Sequence, residues 1–362
     1  MKFGVMNLFP LAEGESEQRI YEETLDEAEL ADNLGFDSFW LAEHHFSTYG
    51  VLGNPLMFGA AIAQRTQRIK IGTAVMVIPF YDPVRLAEDA ALLDNISGGR
   101  LLLGTGSGYQ PKEFAGFNVD PNTSKERYNE IIDILRLAWS EDVWSYEGQF
   151  YRYEDMSVHP RPVQDPLPIL HAAVAPDSFG RLGAAGERLI TSPNFTPLET
   201  MKKNFGRYHD ALIENGFDSQ TFERPFMQQV WSGPDDQGRQ VAAEAALRYY
   251  QIVGKVIPGQ QKGRTYDDKK KMAYYAAVKQ GIDLLTLEQT LTHGGNFGSA
   301  QYVIDALKVL EEEMGVDHYI GWFRIPTLDR NHALDSMRFF AEEVMPAFAD
   351  SSSGGGVRQA VS

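Results

Sequence analysis

The sequence predicts an α/β fold, a (β/α)8 TIM barrel with a late insertion at about residues 254–295. Three observations predict it. Short apolar runs alternate with amphipathic helical runs along the chain, joined by short connections, and that alternation builds parallel sheets. The most apolar run, residues 69–78 (IKIGTAVMVI), is nearly continuous, as a strand covered on both faces should be. Eight strand-like runs can be counted, and a 43% hydrophobic share with 12% aromatic residues is enough for a large core.

The elements follow in order. Residues 3–8 form the first strand, stopped by Pro10. Residues 16–34 carry helical periodicity through Ile20, Leu25, Ala28 and Ala31, with acidic residues in the early turns where the dipole favours them. Gly35 suits the helix end, because φ > 0 is cheap for glycine. Residues 38–42 are the second strand. Asn54-Pro55 opens a helix to Thr66, and Pro83 opens another that closes at Ser97-Gly98-Gly99, since proline is tolerated in a first turn. Residues 69–78 and 101–105 are the third and fourth strands, 124–140 a helix, and 146–162 a hairpin excursion. Strands at 169–174, 188–192 and 225–231 precede helices from Pro176, at 197–215 and at 236–253. The pattern lapses over 254–295, a charged, glycine-containing stretch with Lys269, Lys270 and Lys271 that reads as a mobile lid. A helix at 298–314, a strand at 318–324 and a helix at 331–348 close the chain. The barrel domain is expected over 1–349, with a disordered tail over 350–362 that reads SSSGGGVRQAVS from Ser351.

Composition removes several function classes. Lys+Arg 33 against Asp+Glu 50 gives a net charge of −17, which repels phosphate backbones and anionic membranes; no nucleic acid and no membrane is expected as partner. The absence of cysteine excludes disulfides and thiolate chemistry. The beginning, MKFGVMNLFPLAEGESE, lacks a signal-peptide core, and no run of about 18 apolar residues occurs. A cytoplasmic location is the expectation.

Glu43, His44 and His45 end the second strand, at the barrel end where such folds place their chemistry. A metal pair and a solvated loop are the ordinary alternatives. Adjacent histidines on a strand point to opposite sides, so they rarely ligate one ion, and no HExxH spacing occurs elsewhere; no metal is expected. His293 and His318 are also placed near a strand end or its covering loop. GTGSGY, from Gly104 to Tyr109, reads as a glycine-rich loop whose N–H groups can approach an anion or a flat ring, or as a tight turn alone. It closes the fourth strand and lacks the downstream acid of a dinucleotide fingerprint. APDSF, from Ala175 to Phe179, is a helix start that can hold phosphate or simply cap itself. LLDNISGGR (92–100) reads as structural, with Asp94, Ser97 and Arg100 tying a turn to the next strand.

Four stretches carry a resemblance: GFDSFWLAEHHFSTYGVLGNP (35–55), IGTAVMVIPFYDPVRLAEDAALLDNISGGR (71–100), GYQPKEF (108–114) and MRFFAEEVMPAF (337–348). They resemble the flavin-dependent luciferase-like monooxygenases, among them most closely the bacterial luciferase alpha chain. The resemblance spans about 1–349, apart from 254–295. It implies the barrel fold and an enzyme that uses reduced FMN and O2, through a C4a-peroxyflavin, to oxygenate a small organic substrate by hydroxylation, epoxidation or Baeyer-Villiger chemistry. It implies His44 as the catalytic histidine, flanked by His45 and Glu43. Ala74-Val75 matches a non-proline cis peptide under the flavin ring, and Gly106 falls where luciferase has a reactive cysteine. Ser107 replaces an arginine that contacts the FMN phosphate there, and Gly108 and Tyr109 complete that loop. Ala175 replaces a serine common at the phosphate, while Ser178, Phe179 and Ser192 finish the cofactor set. The resemblance further implies a separate NAD(P)H:flavin reductase and a homodimer built on residues 55–66 and 83–96, where Gly59, Ala60, Ala61, Ala63, Ala87, Ala90 and Ala91 let helices approach closely. The alternatives are a deazaflavin-dependent oxidoreductase on the same barrel and a non-catalytic flavin-binding protein.

Overall fold

The computed structural model describes residues 1–12, 14–193, 196–259 and 266–352, without the side chains of 350–352. Its elements begin with β1 (Lys2–Asn7), α1 (Glu17–Leu34), β2 (Ser38–Leu41), α2 (Pro55–Arg65), β3 (Lys70–Thr73), β4 (Met76–Val77), α3 (Pro83–Ser97) and β5 (Leu101–Gly106). Next come α4 (Pro111–Gly116), α5 (Ser124–Ser140), β6 (Trp144–Glu147), β7 (Arg152–Met156), β8 (Ile169–Ala172), α6 (Pro176–Ala184), β9 (Arg188–Ile190) and α7 (Leu198–Glu214). The rest are β10 (Pro225–Ser232), α8 (Asp236–Val256), α9 (Lys269–Leu284), α10 (Leu287–His293), β11 (Asn296–Gly298), α11 (Ala300–Met314), β12 (His318–Trp322) and α12 (Arg330–Phe339).

Local chemistry sets the boundaries. The Ser16, Asn54 and Asp82 side chains accept from the backbone N–H of the third residue of α1, α2 and α3, and Gly35 (φ 93°) and Gly98 (φ 66°) end α1 and α3 in the left-handed conformation. The strands pair in parallel as β10-β12-β1-β2-β3-β5-β8-β9, and the bridge Thr191↔Phe226 joins β9 back to β10. A ring of eight results. Inside the LLDNISGGR turn, Asp94 accepts from the Val163 and Gln164 backbone N–H groups at 2.8 and 2.9 Å, and Arg100 donates to Thr66 Oγ1 and the Ile69 carbonyl, so this stretch is structural.

Two expectations about the elements need correction. Residues 69–78 are not one strand: the Ala74–Val75 bond is cis, as the resemblance implies, and it separates β3 from β4 before a 3-10 turn at Ile78–Phe80. The stretch 254–295 is not irregular where it is described, because α9 and α10 occupy most of it (260–265 lie outside the described residues). Asp268 accepts from the Lys270 and Lys271 N–H groups to start α9, and only Ile282 along it is buried, so the sequence shows no apolar stripe. The six-residue α4 is too short to register as a period. The tail expected beyond 350 lies, from 353 onward, outside the described residues.

One indole fills the lower barrel. A Cβ on Gly72 would stand 2.2 Å from Trp40 Cε3, and one on Gly4 would stand 3.0 Å from Trp40 Nε1, so glycine is required at both positions. Trp40 Nε1 donates to Ser38 Oγ (2.7 Å), which lies 2.8 Å from His318 Nε2. Glu223 then joins His318 Nδ1 (3.5 Å) to Lys2. His318 therefore sits at the N-terminal end of the barrel, away from the mouth where it was expected, and His293 is exposed at the end of α10.

The outer helices bury most of the small residues assigned to a partner, Ala60 and Ala61 being half-buried. Ala87, Ala90 and Ala91 are inaccessible, and a Cβ on Gly59 would lie 2.9 Å from Leu93 Cδ2. These positions pack within the chain. The apolar side chains that α2 and α3 do expose are Met57, Leu92 and Ile96. Among the described residues no helix is long and apolar enough to cross a membrane.

Gly72→Ala forces a methyl into the Trp40 ring. Overpacking of this kind costs about 1–3 kcal/mol, so the urea midpoint of the variant should fall accordingly. An unchanged midpoint would show that the indole does not depend on that glycine.

Candidate active site

Beyond Leu41 the chain keeps its extended course for a residue, with Ala42 N donating to Asn7 O (3.2 Å), and then presents Glu43, His44 and His45 in alternation. The alternation separates the three. Glu43 and His45 point one way, and Glu43 Oε1 meets His45 Nε2 at 2.7 Å. The second Glu43 oxygen accepts from Val77 N at 3.0 Å, so this carboxylate ties the second strand to the residues after the cis bond. Burial raises the Glu43 pKa, against the opposing pull of His45 and the Val77 N–H. The His45 ring is enclosed by Phe46, Phe80 and Phe117, the last with centroids 4.6 Å apart. Glu43 and His45 thus form a closed structural pair.

His44 faces the other way and has a different carboxylate. Its Nδ1 lies 3.2 Å from Glu113 Oε1 and 3.0 Å from Gln110 Nε2. Glu113 Oε1 also accepts from His45 N at 3.0 Å, so one buried oxygen holds both histidines. A carboxylate at Nδ1 calls for a proton there; the Gln110 amide, turned over, then offers its own oxygen. Nε2 is left as the nitrogen available to a reactant. The imidazole packs edge-on against Tyr49 (4.6 Å) and Tyr109 (6.4 Å). Tyr49 and Tyr249 share a hydroxyl contact of 2.9 Å, and burial raises the pKa of Tyr49, Tyr109 and Tyr249, which keeps these phenols protonated.

The flavin positions implied by the resemblance are distributed unevenly. Ala74 and Val75 are half-buried beside the inner cluster. A Cβ on Gly106 would lie 2.6 Å from Val75 Cγ2 and 3.7 Å from Ala172 Cβ, so the strand ends of β4, β5 and β8 meet there without room for a side chain. Gly108 (φ 80°) turns the loop, and a Cβ on it would lie 2.8 Å from Val77; Ser107 is half-buried beside it. At the start of α6 the capping Ala175 offers no side-chain bond, and Ser178 is half-buried. Phe179 does not belong with them: it is inaccessible, packed edge-on against Phe205 in the outer layer. Ser192 follows the end of β9 and is half-buried. Among the described residues no cluster of three His, Cys, Asp or Glu could hold a metal.

Sequence reasoning missed Glu113 and Gln110 as partners of His44, although both lie in the GYQPKEF stretch. It also missed Tyr49 and Tyr249, which carry no local signal.

A family model described as luciferase-like monooxygenase matches residues 1–318. The chain belongs to that family. The oxygenase component of flavin-dependent trigonelline monooxygenase from Acinetobacter baylyi is 26% identical over 359 residues, covering 97% of this chain and 96% of that protein. Monooxygenase RslO1 from Streptomyces bottropensis is 28% identical with a TM-score of 0.82, covering 96% of this chain and all (100%) of that one. An F420-dependent secondary alcohol dehydrogenase, 20% identical with a TM-score of 0.74 over 96% of this chain and 98% of its own, shares the fold. In this luciferase-like monooxygenase, α4 therefore brings to the mouth the acceptor that the second strand cannot supply.

Glu113→Ala leaves the His45 N–H and the His44 ring without that acceptor. A buried donor left unpaired costs about 1–3 kcal/mol, a loss that chemical unfolding should register. Glu113→Gln should recover part of it, since an amide oxygen still accepts. Wild-type stability in Glu113→Ala would refute the bridging role.

Proposed function

We infer that the chain is the oxygenase component of a two-component monooxygenase, which uses reduced FMN and O2 to oxygenate a small organic substrate. A separate NAD(P)H:flavin reductase supplies the reduced flavin. The observation that carries this reading is His44, held at Nδ1 by Glu113 with Nε2 to spare, beside the half-buried Ala74–Val75 strand end.

The residues present fit the cofactor. Ala74, Val75 and Tyr109 offer apolar surface for a flat ring, and glycine at 106 keeps any side chain from standing between ring and strand. Backbone N–H groups at the start of α6, with no side-chain cap, and the Ser178 hydroxyl suit a phosphate. Bound reduced FMN supplies the two electrons with which O2 is activated.

The chain's own part is positioning, exclusion of water and proton management. The buried Tyr49 and Tyr249, with the half-buried Tyr109, flank His44. The segment leading into α9 covers the loop after β5: Tyr266 donates to the Gly108 carbonyl (3.1 Å), Asp267 N donates to Asn122 (2.8 Å), and Lys271, in the first turn of α9, lies over the Tyr266 ring (3.4 Å). With little of α9 buried, this cover is the element that can lift to admit substrate. His44 Nε2, left without a protein partner by the bonds at Nδ1, can hand a proton to or take one from a reacting oxygen.

Substrate-dependent O2 uptake with reduced FMN, beyond the hydrogen peroxide released, tests the reading. The same assay with a reduced deazaflavin separates the alternative cofactor. His44→Ala should keep FMN binding and lose turnover by about 10²-fold or more; full activity in that variant would remove His44 from the chemistry.

We also infer a homodimer on residues 55–66 and 83–96, now resting on the exposed Met57, Leu92 and Ile96. Light scattering should give twice the 40.5 kDa of one chain, and a clean single-chain mass would rule the dimer out.

A further inference from the structure

Gln229 has no counterpart in the assignments above. It lies on β10 opposite Trp322, between Met227 and Trp231. Strand alternation puts 227, 229 and 231 on one side, and Met227 and Trp231 belong to the inner cluster with Trp40 and Trp322, so Gln229 projects into the barrel. It is wholly inaccessible, and neither Oε1 nor Nε2 has a hydrogen-bond partner. A buried amide without partners is costly, and folded proteins pair such groups almost without exception. Among the described residues the other inaccessible amide with both atoms unpaired is Asn204, on α7 outside the ring.

Position says what would pair it. In the ring order, β10 stands four strands from β3 and faces it across the barrel. A ring seated on Ala74–Val75 leaves the β10 side to the other reactant. Apart from Lys2, Lys70 and Arg188 at strand starts, no Asp, Glu, Lys or Arg occupies an inward-alternating position of the barrel strands. A charged molecule there would lose its hydration without gaining a counter-charge. Trp322, packed edge-on by Tyr249, adds apolar surface beside Gln229, and Trp231, stacked on His332, has its Nε1 likewise unpaired.

We propose that Gln229 is the hydrogen-bonding contact for the substrate, and that this substrate is an uncharged, largely apolar or aromatic molecule bearing a carbonyl or hydroxyl group. The inference rests on reading the barrel mouth as the site of oxygenation. The amide can donate to a carbonyl or accept from a hydroxyl, and with both atoms free it serves either. Its role is recognition and orientation of the substrate; proton traffic stays with His44.

Acetophenone, ethylbenzene and phenyltrimethylammonium are matched probes: one oxygen-bearing, one lacking the oxygen, one charged. Equilibrium dialysis against the full chain should show the acetophenone-to-ethylbenzene affinity ratio falling about tenfold in Gln229→Leu, the ratio set by one hydrogen bond to a buried amide. Gln229→Met serves equally should the leucine variant not fold. FMN binding, followed by flavin fluorescence, should be unchanged in both. An unchanged ratio, or no acetophenone binding to wild type, overturns the assignment; so does phenyltrimethylammonium binding as tightly as acetophenone. Loss of FMN binding in the variants with the ratio intact would give the amide to the flavin and overturn it as well. If wild type fails to bind FMN while the ratio still shifts, the cofactor reading fails and Gln229 stands.

Discussion

The packing of Trp40 against two bare backbones is the constraint on which the rest of this barrel depends. Glycine at 4 and 72 lets the indole lie across the lower interior, where any side chain at either position would collide with it. The ring nitrogen is satisfied by Ser38, which meets His318, and that histidine leads on to Glu223 and Lys2. A polar chain thus seals the N-terminal end. His318 draws Glu223 well below the usual carboxylate range, to about 2, with Lys2 adding to the effect against the opposing burial. With that end closed, ligands can enter the ring only from the other, where the strands expose their last residues.

At that open end, two consecutive imidazoles have separate fates because a strand alternates. His45 is bonded to Glu43 and walled in by phenylalanines, so its work is to hold the second strand against the residues after the Ala74–Val75 bond. His44 is turned inward and held by Glu113, which also takes the His45 N–H. One carboxylate from a short helix therefore sets the position of both rings. The cost of burying Glu113 and Glu43 is met by hydrogen bonds from ring and backbone nitrogens, the usual condition for a buried carboxylate. The same logic recurs on the outer wall, where burial raises the Glu27 pKa against the opposing pull of Arg324 and the Asn7 amide.

Above the mouth, cover and loop are joined by few bonds. Tyr266 reaches the Gly108 carbonyl, and its ring carries the Lys271 ammonium; burial lowers that lysine's pKa to about 8 although Asp268 opposes the shift. An element with one buried residue suits a cover that opens and closes, whereas Trp40 below is wholly buried and packed against bare backbone. Rigid floor and loose roof together leave the middle layer, with Gln229 and the indoles, as the part that reads the ligand.

Much of the architecture was legible in the chain because it is written in local terms. Alternating apolar runs, Asn54-Pro55 and Pro83 as helix starts, and Gly35 and Gly98 as stops specify elements within a few residues of themselves, and the structure has them there. The Glu43-His44-His45 tip could be read for the same reason, since a strand end carries its side chains with it. The two helices inside 254–295 could not, because an exposed helix leaves no apolar period to detect. Nor could a sequence show that Phe179 turns outward, that His318 lies at the sealed end, or that Ala87 and Ala90 are consumed in the chain's own packing. Those outcomes depend on which neighbour a side chain meets. Glu113 comes to His44 from 69 positions along the chain, and Tyr249 comes to Tyr49 from 200. The sequence by itself determined the elements and the residue types at their ends, because short-range backbone and solvation preferences decide those; only the tertiary structure decided which groups share a proton, because ring closure sets distances between residues far apart in the chain.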